Sequence, residues 1–144
     1  MQLQPQAVQT VSATLGKDSL RRSRRVLGPD HPTSLWAATA LMQAPIEPGA
    51  EEPARAFGED TLQRCRRVFG PDHVRTLGAA ATLTLALMAV GEAEPARTLG
   101  EDTLQRCRRV LGPDHPITVY LIQAADSGHI VGDDAAADRP DRPL

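Results

Sequence analysis

An all-α fold, an array of stacked helical pairs, is what the sequence predicts, on three observations. The string GEDTLQRCRRVFGPDH at residues 58–73 returns at 100–115 with one change, Phe69 to Leu111, and a looser copy, GKDSLRRSRRVLGPDH, occupies 16–31. The step is 42 residues both times, and a fixed period between about 20 and 50 residues marks a solenoid whose units bury their apolar faces only against each other. Hydrophobic residues make up 41% of the 144-residue chain but aromatics only 3%. An interior of Leu, Ala and Val favours closely packed helices over a β-sandwich.

The elements follow in order. Residues 1–7 are polar and expected to be disordered. In 8–27, Val11, Leu15, Leu20 and Val26 mark the second helix of a pair, here helix B, with no first helix (helix A) before it. Its apolar face lacks a partner, so the chain is expected either to be a piece of a longer array or to self-associate through this open N-terminal end.

Residues 28–69 form the first full repeat. Gly28 ends the preceding helix, Pro29 forbids its continuation, and Pro32 falls in the first turn of the next, where a missing N–H is harmless. Pro45 and Pro48 align with Leu87 and Val90 of the following repeat. An interior proline costs about 3 kcal/mol, so helix A here should stop near Ala44.

Residues 70–111 form the second repeat and show the pattern most fully. Leu77, Ala80, Leu83, Thr84 and Leu87 recur at steps of three and four, one face of helix A. GEAE at 91–94 is the turn, Pro95 opens helix B, and Ala96, Leu99, Gly100, Thr103, Leu104, Cys107 and Val110 mark its buried stripe. Gly100, with Gly16 and Gly58 at equivalent places, is expected to let neighbouring helices approach closely. Asp114 is placed to cap the next helix. Residues 112–126 supply one more helix A, and 127–144, acidic and rich in Pro and Asp, read as a disordered tail.

The formal net charge is -2, and residues 1–125 carry fourteen basic against thirteen acidic side chains. A neutral body is the wrong footprint for tracking phosphates, so no nucleic acid is expected. No apolar run approaches the roughly 18 residues of a membrane span, and MQLQPQ lacks the layout of a signal peptide. No membrane association is expected, and the cytoplasm is the default compartment.

No phosphate loop, nucleophile elbow or His–Cys pair occurs, so neither catalysis nor a cofactor is expected. His31, His73 and His115 recur at the 42-residue step. Equivalent residues of stacked repeats lie about a helix-packing distance apart, far beyond the roughly 2 Å of a zinc ligand, which favours a capping or turn role over a metal. Cys65 and Cys107 are too far apart for a disulfide on the same argument and read as buried apolar residues, a reactive thiol being the alternative.

Arginines recur as 22, 24, 25, then 64, 66, 67, then 106, 108, 109. Asp18, Asp60 and Asp102 stand four residues before Arg22, Arg64 and Arg106, the favourable acid-first order on a helix. A solvated, self-paired face is one reading. The other is a basic ladder, Arg24, Arg66 and Arg108, docking an acidic partner.

Short connections make antiparallel pairs, and stacked pairs curve into a superhelix with an inner groove. The glycine turn, the Ala96/Leu99/Leu104 stripe, the VLGPDHP ending and the 42-residue period together resemble tetratricopeptide repeats (TPR) of the kinesin-light-chain type. That form is also found in actinobacterial regulatory proteins that join such arrays to a nucleotide-binding switch domain of the NB-ARC kind. The resemblance covers residues 8 to about 125 and implies a TPR-like right-handed superhelix that scaffolds protein–protein interaction, binding a protein or peptide partner without catalysis. The alternative is a sensor segment of a larger switch protein.

Family repeats carry an Asn pair in helix A that contacts ligand backbone. This chain has no Asn, and Thr39-Ala40 and Ala81-Thr82 stand at the matching positions. Fitting the family's helix A pattern places Trp36, Thr39 and Gln43, then Gly78, Ala81, Leu85 and Met88, then Tyr120 and Gln123 along the inner groove. The sole Trp and sole Tyr fall at equivalent positions, either as binding anchors or as padding between neighbouring helices A.

Overall fold

A computed structural model describes residues 5–127, with side chains from residue 15. Six helices follow in order: α1 (Pro5–Leu27), α2 (Pro32–Met42), α3 (Glu51–Phe69), α4 (Val74–Ala89), α5 (Ala93–Val110) and α6 (Pro116–Asp126). No strand occurs among the described residues. Each helix packs on the next, and α4 also packs on both α2 and α6. These three are therefore the helices A of one inner layer, with α1, α3 and α5 as the outer helices B. Helix α1 begins at Pro5, inside the stretch expected to be disordered. Residues 1–4 and the expected tail after Ser127 lie outside the described residues.

The GPDH turn works by a division of labour that corrects one expectation. Its glycine takes a positive φ that side chains disfavour and that ends the helix, 97° at Gly28, 94° at Gly70 and 88° at Gly112. The cap of the following helix is the histidine and not Asp114. Nδ1 of His31, His73 and His115 accepts the backbone N–H of Thr33, Arg75 and Ile117 at 3.1, 3.1 and 3.2 Å, and each histidine is the N-cap of its helix. Nδ1 of histidine stands three bonds from Cα, as an Asp carboxylate oxygen does, so a histidine at the N-cap position can accept the second N–H of the helix in the same way.

The aspartate one place earlier is thereby free for another task. Asp30 accepts from Arg64 at 2.8 Å and Arg67 at 3.1 Å, and Asp72 accepts from Arg106 at 2.9 Å and Arg109 at 3.4 Å. Each turn is thus tied to the helix B that follows it in the stack. The Arg64 guanidinium is the main reason the Asp30 carboxyl is held below its ordinary 3.8.

Two clusters form the interior. Leu35, Leu62, Leu83 and Leu87 centre the first, between α2 and α5. Leu77, Leu104, Cys107 and Leu121 centre the second, between α4 and α6. Met88 packs against both. Where the outer helices meet the inner layer, glycine makes room. A Cβ on Gly58 would stand 2.7 Å from Leu83 Cδ1, and one on Gly16 2.9 Å from Leu41 Cδ1. The buried stripe of α5 ends earlier than the sequence predicts, because Val110 in the last turn is 44% exposed.

Prolines shorten α2 to 11 residues against 16 in α4. It stops at Met42, two residues before the expected Ala44, and residues 43–50 cross to α3 as a loop.

Candidate functional site

The inner layer is concave. Helices α2, α4 and α6 wall a groove of about 980 Å³. Of the nine residues expected there, Trp36, Thr39, Gln43, Gly78, Ala81, Leu85 and Tyr120 line it. Met88 is turned into the core, where it bridges the two clusters. Gln123 is exposed and outside the groove lining; it lies one turn beyond Tyr120, and its carbonyl accepts the Ser127 hydroxyl at 2.9 Å.

Trp36, Gly78 and Tyr120 hold equivalent places in three successive helices, so the two rings flank a position that has no side chain. Trp36 is 62% exposed and Tyr120 54% exposed. Gly78 has space beside it, since a Cβ there would find only Ile117 Cδ1, at 3.6 Å. Ala81 forms a buried floor and Leu85 is half-buried.

The chemistry of this surface is set by which polar groups remain available. Thr39 donates its hydroxyl to Trp36 O at 2.9 Å, and Thr82 donates to Gly78 O at 2.9 Å. Both threonines at the positions where an Asn pair would project spend their donors within their own helices. What remains is aromatic and aliphatic surface edged by two charges that pattern reading missed. The Arg75 guanidinium lies 5.9 Å from the Trp36 ring centroid, a cation–π distance. Glu51 also lines the groove, its carboxylate accepting the Gly49 N–H at 3.2 Å. Its own backbone N–H first, and that of Gly49 next, hold it below its ordinary value. Arg75 could have been suspected from its place in the first turn of a helix A, two residues after the capping histidine.

The outer basic face divides in two. Arg64 pairs with Asp60 at 2.8 Å and Arg106 with Asp102 at 3.0 Å, as the acid-first spacing predicts. The incomplete unit before the first full repeat differs: Asp18 reaches Arg21 at 3.6 Å in place of Arg22. Arg24, Arg66 and Arg108 form no ion pair among the described residues.

Cys65 and Cys107 are free and fully buried, and burial pushes the Cys107 thiol up to about 11. A protonated, enclosed thiol is a poor nucleophile. Among the described residues no group of three or more His, Cys, Asp or Glu could hold a metal ion, and no helix is long and apolar enough to cross a membrane.

A family model described as tetratricopeptide repeat matches residues 11–33, 49–75 and 76–117, more than half of the chain. Among curated proteins, none matches it.

Proposed function

The chain belongs to the tetratricopeptide repeat family, whose repeats generally mediate protein–protein interaction, and from that premise we propose that it is a scaffold module holding a partner protein in its inner groove. The observation that carries this reading is the pair of exposed rings, Trp36 and Tyr120, set on either side of Gly78. Rings that served only to pad neighbouring helices would be largely enclosed, and aromatic residues are the usual anchors of an interface. With the groove threonines occupied, recognition rests on apolar side chains of the partner entering between the rings. It does not rest on hydrogen bonds to the partner's backbone. The groove performs no chemistry of its own.

Partner proteins captured from the source cell by the wild-type chain should be lost from Trp36→Ala and Tyr120→Ala and kept by the Arg66→Glu/Arg108→Glu double variant. Retention of every partner by both ring variants would remove the inner groove from consideration. Loss confined to the double charge reversal would move the site to the basic ladder. Because Trp36 is the sole tryptophan, its emission reports groove occupancy directly.

A second contact is supported by the outer face of α1. Leu15 is 62% exposed, whereas its equivalent in α5, Leu99, packs into the core behind α4. We infer that a second copy covers this face. Light scattering over a concentration series should show a mass above that of the monomer, falling toward it in Leu15→Glu. A monomer at every concentration would count against self-association.

A further inference from the structure

The shortening of α2 leaves a second cavity, of about 480 Å³, distinct from the inner groove although the 43–50 loop walls both. In the next repeat Leu87 continues helix α4 and fills the interior. Pro45 stands at the equivalent place here, so the space between α1, α3 and the 43–50 loop stays open. Its lining is apolar: Leu20, Leu41, Ile46, Phe57 and Leu83 contribute to it. The volume falls within the roughly 300–1,000 Å³ of small-molecule sites, which pair such a lining with a few fixed polar groups.

Those polar groups are cationic and lie on one wall. Lys17, Arg21 and Arg24 line the cavity from successive turns of α1, against one acid, Glu47, on the loop. The Arg24 guanidinium carbon lies 5.6 Å from the Phe57 ring centroid. Its Nε is buried and has no hydrogen-bond partner among the described residues. A buried guanidinium donor left unpaired is costly and attracts an acceptor, best an anionic one. Asp18 already occupies part of Arg21 at 3.6 Å, so with Glu47 on the rim the remaining excess of positive charge suits a single negative charge.

We propose that this cavity binds a linear aliphatic monocarboxylate, its head group on Arg24 and Lys17 and its tail among Leu20, Phe57 and Leu83. The site is independent of the inner-groove reading and stands if that reading fails. Calorimetric titration of the folded chain with octanoate tests it, beside octylamine, octan-1-ol and octyl phosphate. Octanoate should bind saturably at one site, about tenfold more tightly than the amine or the alcohol, as an ionic hydrogen bond implies. Arg24→Gln and the exposed Lys17→Gln should each weaken it severalfold. Ala54→Leu, which fills the cavity from α3, should abolish it, and Trp36→Ala should leave it unchanged. Should Arg24→Gln fail to fold, Lys17→Gln and Ala54→Leu decide the matter. Absence of saturable octanoate binding, equal binding of amine or alcohol, or indifference to Lys17→Gln and Ala54→Leu would overturn the proposal. Tighter binding of octyl phosphate would overturn the single-charge assignment.

Discussion

Gly58 and Gly78 both sit inside helices, where glycine costs about 1 kcal/mol relative to alanine, yet the structure retains them for opposite reasons. At Gly58 a Cβ would press to 2.7 Å on Leu83 Cδ1, and Leu83 is itself buried, so relief requires a core side chain to shift. At Gly78 the nearest atom is 3.6 Å off. Thermal melts of the two alanine variants should therefore move in opposite directions. Gly78→Ala is expected to gain up to about 1 kcal/mol of helix propensity. Gly58→Ala is expected to lose about 1 kcal/mol net, because overpacking costs of about 1–3 kcal/mol exceed that gain. Equal shifts of the same sign would show that close approach at Gly58 is not what excludes a side chain. The recurrence of glycine at the 42-residue step made close approach at Gly16 and Gly58 legible in the sequence. The emptiness at Gly78 was not, since it depends on how far α6 stands from α4.

At the scale of the element, the GPDH turn shows how one short string serves three structural ends. Glycine stops a helix, histidine starts the next, and aspartate reaches across the stack. Short polar side chains usually cap helices, which points to aspartate, although the recurrence of the histidines also suits a capping or turn role. The partner that draws the aspartate away lies 34 residues further on, beyond any local window. The link has a definite pH signature. The folded-state pKa of Asp30 is lowered, so its stabilisation is present above the ordinary carboxylate value and is lost as pH falls through the lower folded value. Asp30→Asn should thus be less stable than wild type at pH 7, and the gap should close as the pH is taken well below about 4, the ordinary Asp value. A gap that persists undiminished at pH 3 would mean that the carboxylate charge is not what Arg64 and Arg67 hold. The prolines of residues 43–50 tell the complementary story. That they would truncate α2 could be read from Pro45 and Pro48 alone. That truncation opens a cavity instead of collapsing the stack depends on α1 and α3 being held apart by α2 itself.

For the molecule as a whole, stability is carried from one unit to the next, and Met88 is where the two clusters meet. In a linear array the folding of each repeat is supported by its neighbours, so weakening one shared contact should reduce cooperativity as well as stability. Met88→Ala is expected to cost about 2 kcal/mol, the lower end of the range for a core methionine because the side chain is half-buried. It should also broaden or split the urea transition followed by circular dichroism. A single sharp transition, merely displaced, would show that the two clusters couple through other contacts.

Periodicity, composition and turn chemistry were sufficient for the all-α array, its 42-residue step and the helix stops, because these follow from local backbone preferences repeated along the chain, whereas most of the groove wall was legible only through the resemblance to tetratricopeptide repeats. Tertiary structure alone decided that Met88 faces inward, that Val110 faces water, that aspartate ties repeats together and that a cavity lies beside α1. Each of these outcomes depends on which side chain from a distant helix arrives at a given place. Equivalent positions in a repeat share a local conformation but differ in their neighbours, and contact free energies are set by the neighbours.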